Sequence, residues 1–73
     1  MPLNDRLKMR HLRTLLAIAE QGSLVRAAKA LNISQPAVTK TLTELEDITA
    51  QLLFERSPKG VTLTAAGRIL VRH

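Results

Sequence analysis

Cysteine, tryptophan and tyrosine are all absent from this 73-residue chain, and phenylalanine occurs once, as Phe54. Without cysteine there is no disulfide and no thiolate metal site. The two histidines, His11 and His73, are too far apart in sequence to suggest a structural zinc, so no metal or other cofactor is expected. The core must then be aliphatic, built from Leu, Ile, Val and Ala. No apolar run approaches the ~18 residues of a membrane span, and the N-terminus has no charged-then-apolar secretory pattern. The expected location is cytoplasmic. Acidic residues are scarce, six against eleven Lys and Arg, for a net charge of +5 and a pI near 10.9. So basic a balance suggests a polyanionic partner. The length suits one small domain with a thin margin of stability.

Enzyme chemistry finds no support. The acids Asp5, Glu20, Glu44, Glu46, Asp47 and Glu55 form no catalytic spacing, and GxSxG, HExxH and a glycine-rich phosphate loop are missing. Ser34, next to Gln35 and Pro36, reads as a helix cap rather than a nucleophile. No catalytic residue is assigned.

Helical periodicity places a first helix over Arg6–Gln21, with Asn4 or Asp5 as its cap. Met9, Leu12, Leu15, Leu16 and Ala19 form its apolar face, and Arg10, Arg13, Thr14 and Gln21 its polar one. Gly22 ends it. Ser23 caps a second helix, Leu24–Leu31, on which Leu24, Ala27, Ala28 and Leu31 share a face; the small alanines permit close helix approach. Asn32 terminates it, with Ile33 packing back. Ser34 caps a third helix, Gln35–Thr49, with Pro36 in its first turn, where a missing N–H costs nothing. Val38, Leu42, Leu45 and Leu52 cluster on one side of this helix; Pro36, Thr39, Lys40 and Thr43 lie opposite. A hairpin follows over Leu53–Leu63, turning at Ser57-Pro58-Lys59-Gly60. Thr64 caps a fourth helix from Ala65 that runs to the end of the chain, which reads as the start of a longer element.

The expected class is therefore mainly α, a winged helix-turn-helix of three core helices and a β-hairpin wing. From Gln21 to Thr43 the chain carries Arg26, Lys29 and Lys40 and no acid; Glu44, Glu46 and Asp47 come only afterwards. Acids near a helix C-terminus oppose the macrodipole, so this placement suggests that only the first half of the third helix faces phosphates. Gln35 suits a bidentate pair with adenine, Thr39 and Thr43 a base edge or thymine methyl, Pro36 an apolar contact, and Lys40 a phosphate or a guanine edge. Ser23, Ser34 and Arg26 suit phosphates at helix N-termini. Arg56, Ser57 and Lys59 in the wing suit flanking backbone or a minor groove. The competing reading, a helical dimerisation module, would more naturally place an apolar groove around the third helix.

The segments AAKALNISQPAVTK and FERSPKGVTLTAAG, with the interval between them, resemble the N-terminal domain of LysR-type transcriptional regulators over about Met9–Leu70. That resemblance implies a domain over residues 1–63 that binds double-stranded, near-palindromic DNA. It also implies a linker helix beginning at 64–73 that dimerises through Ile69, Leu70 and Val71. A dimer or tetramer and an effector-binding domain beyond this chain follow by the same resemblance. By matching position it implies groove contacts from Gln35, Pro36, Thr39 and Lys40 and wing contacts from Arg56 and the turn after it. The family's usual Leu-Gly after the third helix reads Thr49-Ala50 here. Either Ala50 takes the left-handed conformation at a cost of roughly 1 kcal/mol, or the helix runs on and Ile48 takes the apolar role.

Overall fold

The computed structural model describes residues 7–72. The chain forms α1 (Met9–Gln21), α2 (Leu24–Leu31), α3 (Gln35–Thr49), β1 (Phe54–Ser57), β2 (Gly60–Leu63) and α4 (Ala65–Arg72). The expected caps Asn4 and Asp5, and Arg6 itself, lie outside the described residues. Leu7 and Lys8 are non-helical, so α1 begins at Met9, later than its periodicity suggested. The reason is local. The Lys8 N–H donates to Nδ1 of His11 at 2.9 Å, and Lys8 sits in the extended conformation of a cap. A side chain three residues into the helix thus satisfies a donor that the helix leaves unpaired.

Each of the first three helices stops at a left-handed residue: Gly22, Asn32 and Ala50, with φ of 67°, 59° and 55°. After α2, Asn32 and Ile33 donate to the carbonyls of Lys29 and Ala28. After α3, Ala50 and Gln51 donate to those of Asp47 and Glu46. Both are paired reverse bonds that occupy the last free carbonyls of a helix. Of the two alternatives for the Thr49-Ala50 pair, the left-handed one is realised. Leu52, expected on the apolar side of the third helix, is 72% exposed instead. The reversal at Ala50 breaks the helical phase that would have carried it inward.

Leu15, Ile18, Ala27, Val38, Leu42, Leu45 and Leu53 are essentially inaccessible, with Ala17, Ala28 and Phe54 beside them. The expected faces of α2 and α3 are the buried ones, Leu52 apart. The expected face of α1 is not. Met9 and Leu16 are exposed, whereas His11, Thr14, Ala17 and Ile18 are buried. The helix is turned by roughly a third of a turn from the centre of its apolar arc, at about 100° per residue. His11 makes this possible because both of its ring nitrogens find partners, so the ring can sit in the core without an orphaned polar atom. The Leu12 and Leu16 side of α1 looks instead toward α4, where with Leu15, Leu70 and Val71 it lines a recess of about 150 Å³.

The hairpin is antiparallel, pairing Phe54 with Leu63 and Ser57 with Gly60 around a Pro58-Lys59 tip. It is bound to the helices at several points. The Val61 N–H donates to the Gly22 carbonyl at 3.1 Å, and a Cβ at Gly60, which has φ of 131°, would collide with that same carbonyl. The Leu53 N–H donates to Oε2 of Glu46 at 2.9 Å. Thr64 donates its hydroxyl to the Leu52 carbonyl and accepts the Gly67 N–H, which caps α4. Gly67 is the point of closest approach: a Cβ there would collide with the Leu53 carbonyl and the Leu63 side chain.

Candidate nucleic-acid interface

α3 carries two opposed rows. Val38, Leu42 and Leu45 are at most 1% exposed and fix the helix against α1 and α2. Pro36, Lys40 and Thr43 are exposed on the far side with Thr39 half-buried at its edge, and Gln35 is exposed in the first turn, on the flank nearer the buried row. None of these five side chains makes a hydrogen bond or an ion pair within the described residues, so their polar groups are available to an external partner. The Ser34 hydroxyl oxygen accepts the Ala37 N–H at 3.2 Å, and Pro36 has no N–H to offer. The N-terminus of α3 is therefore left with few unpaired amides. It is a surface for side-chain contacts more than for binding an anion by backbone amides.

Ser23 caps α2 by accepting the Arg26 N–H at 3.2 Å. A serine that caps in this way uses an oxygen lone pair and keeps its own proton. Ser23 and Ser34 can both still donate to a phosphate oxygen. Arg26 and Lys29 project from α2 into solvent. At the wing, Arg56 and Lys59 are exposed. Ser57 differs: its hydroxyl donates to the Gly60 carbonyl at 3.4 Å and accepts the Lys59 N–H at 3.2 Å. It holds the tip in shape, so its proton is already engaged. In α4, Ile69 is 59% exposed, while Leu70 and Val71 are half-buried against the core.

Sequence reasoning missed one group of residues beside this surface. Glu44 follows Thr43 directly, and its Oε1 accepts from Nη2 of Arg10 and from Nε2 of His11, each at 3.2 Å. Because Nδ1 of His11 already accepts the Lys8 N–H, the ring proton of neutral His11 belongs on Nε2, where it is donated to Glu44. The Arg10 guanidinium, and then His11, hold the Glu44 carboxyl below the usual glutamate range. Asp47 and Ile48 complete the recess around the three residues. Glu46, bound to the Leu53 amide, is likewise committed to the fold. A signal for the cluster did exist in sequence, a histidine and an arginine adjacent on a helix otherwise packed by aliphatics, but it named no partner.

Residues 9–68 match the family described as "Bacterial regulatory helix-turn-helix protein, lysR family". The chain is 50% identical over 70 residues to the uncharacterised HTH-type transcriptional regulator YdcI of Escherichia coli K12, covering 96% of this chain and 23% of that protein. It spans about a quarter of the length of the curated relatives it matches. Among solved structures, the DNA-binding domain of CbnR in complex with DNA superposes with a TM-score of 0.87 at 39% identity, over 90% of this chain and 76% of that one. The BenM DNA-binding domain with its catB site 1 DNA gives a TM-score of 0.86 at 32% identity, over 90% of this chain and 74% of that one.

Proposed function

Because this chain belongs to the LysR family of bacterial regulatory helix-turn-helix proteins, and is a DNA-binding domain of that family, we propose that α3 enters the major groove of double-stranded DNA. The family is not a class of enzymes, and we assign the chain no catalytic step. The observation that carries the groove assignment is the unpartnered row Pro36, Thr39, Lys40 and Thr43, with Gln35 exposed at the helix start, on the same helix as a fully buried row that faces the core. Such a helix is rigidly held and free to be read against on its outer side. Gln35 reads adenine through its amide, Thr39 and Thr43 meet base edges or a thymine methyl, and Pro36 adds an apolar contact. Lys40 takes a phosphate or guanine; as a point charge it lacks the bidentate fork of arginine, which weakens discrimination there.

Ser23, Ser34, Arg26, Arg56 and Lys59 take phosphates, and they set register rather than sequence. Ser57 serves the wing tip from within. Residues 1–63 form the reading domain, and 64–73 begin a linker helix whose Ile69, beside Leu70 and Val71, meets a second protomer in the whole regulator. A two-fold dimer, or a tetramer of such dimers, then requires a near-palindromic site with half-sites separated by whole helical turns. Any small-molecule effector acts through a part of the regulator outside this chain. No helix among the described residues is long and apolar enough to cross a membrane; a cytoplasmic location suits a reader of chromosomal DNA.

The test is binding against salt. If each protomer neutralises about four phosphates, log affinity of a dimer falls against log salt with a slope of about −7. Gln35→Ala should weaken binding to a preferred site by about 1–3 kcal/mol and hardly affect random duplex. A nearly salt-independent affinity, or equal losses on both duplexes, would refute the groove assignment for Gln35.

A further inference from the structure

We infer that Glu44 is a positioning residue for sequence readout: it sets the rotation of α3 about its own axis, and so the depth at which Thr39, Lys40 and Thr43 enter the groove. The inference rests on the groove assignment above. The buried row of α3 consists of Val38, Leu42 and Leu45, apolar side chains that hold the helix against the core by non-directional packing. Aliphatic contacts alone tolerate small rolls of a helix. Directional bonds do not. Glu44 is one residue beyond Thr43, at the edge between the buried and presented rows, where any roll of α3 shifts it against α1. There a single oxygen, Oε1, accepts from both Arg10 and His11 of α1.

His11 is itself pinned. Its ring is 2% exposed, and Nδ1 accepts the Lys8 N–H, so the Nε2 proton has one direction available to it. A roll of α3 would leave that buried N–H without an acceptor. Arg10 holds the same oxygen from the solvent side. The carboxylate is thereby turned toward α1, away from the phosphates that its charge would repel. Both effects favour the correctly seated complex over loose association along the backbone. Glu44 touches no base in this arrangement; it acts through the residues that do.

The experiment compares Glu44→Ala and Glu44→Gln with the wild-type chain. The probes are a duplex enriched from a random pool by the wild type and a scrambled duplex of equal length. Circular dichroism first fixes a temperature at which all three proteins are fully folded. The readout is the ratio of the two affinities, which a purely structural role would leave unchanged in folded protein. Glu44→Gln keeps an acceptor oxygen and should hold the ratio within about twofold, even as loss of the charge tightens both duplexes. Glu44→Ala should lower the ratio on the order of fivefold, the scale of one directional hydrogen bond. An unchanged ratio in Glu44→Ala, or equal falls in both variants, overturns the positioning role. If the wild-type chain enriches no duplex at all, the groove assignment itself fails, and this inference with it.

Discussion

Replacing Ala50 with glycine should stabilise the domain, although it removes a side-chain atom. Ala50 ends α3 with φ of 55° and ψ of 32°, a conformation in which the Cβ of an L-residue crowds the carbonyl that follows. The penalty is about 1–2 kcal/mol. Glycine escapes it but brings greater freedom to the unfolded chain, which costs roughly 0.4–1 kcal/mol in return. Ala50 is exposed, so little packing is lost with its methyl. The balance is a gain of about 0.5 kcal/mol, or roughly 2–4 °C in Tm for a domain of this size. Thermal melts followed by circular dichroism would resolve that shift. Ala50→Val serves as the opposite control, since a β-branched side chain is a marked outlier at positive φ, and its Tm should fall well below that of the wild type. DNA affinity should not change with Ala50→Gly, because residue 50 lies at the opposite end of α3 from Gln35. A lower Tm for Ala50→Gly would show that the left-handed strain at residue 50 is smaller than the unfolded-chain freedom that glycine adds.

Three further perturbations follow from the same geometry. Gly67→Ala places a Cβ against the Leu53 carbonyl and the Leu63 side chain; overpacking of this kind costs about 1–3 kcal/mol, and urea melts should show it unless α4 detaches from the hairpin without loss. Lys59→Ala at the exposed wing tip should weaken binding to all duplexes by a similar factor and reduce the salt slope by about one; a changed sequence preference would mean that the wing reads bases. Glu44 has a depressed folded-state pKa, so its contribution to stability is present above the ordinary glutamate value of about 4.3 and is lost as pH falls through the lower folded value. Melts from about pH 6 down to about pH 3 should therefore fall less steeply for Glu44→Gln than for the wild type, and parallel curves would contradict the assigned ion pair.

The legible parts of this fold are those dictated by neighbours in sequence. Ser23 and Ser34 cap the helices they precede, Gly22 and Asn32 end the helices they follow, and the Pro58-Lys59-Gly60 run closes the hairpin. The apolar faces of α2 and α3 were equally plain, because no buried polar residue distorts them. α1 was misread because hydropathy counts His11 and Thr14 as surface residues. What puts His11 inside is a backbone amide three residues before it and a carboxylate on another helix. Leu52 was misread because its place depended on whether Ala50 reversed the chain, and alanine carries no sequence mark for the left-handed conformation as glycine does. Gly67 went unnoticed for the converse reason. Its requirement comes from the carbonyl of Leu53, fourteen residues earlier in the chain, together with the side chain of Leu63, which no periodicity registers.

The candidate interface was legible for a reason that needs restating. The sequence placed the end of the DNA-facing stretch at Glu44, because acids late in a helix oppose its dipole and so suggested a functional cause. The structure supplies a folding cause for two of those acids. Glu44 binds Arg10 and His11 of α1, and Glu46 binds the amide that starts the chain toward the wing. Their positions would be required whatever α3 faced. Where the acids begin therefore does not mark out a groove. What precedes them does: an exposed row whose polar side chains have no partner among the described residues and whose helix is fixed from behind. One acid then serves both ends: Glu44 holds α3 to α1 through the bonds that keep its charge off the side proposed to face DNA.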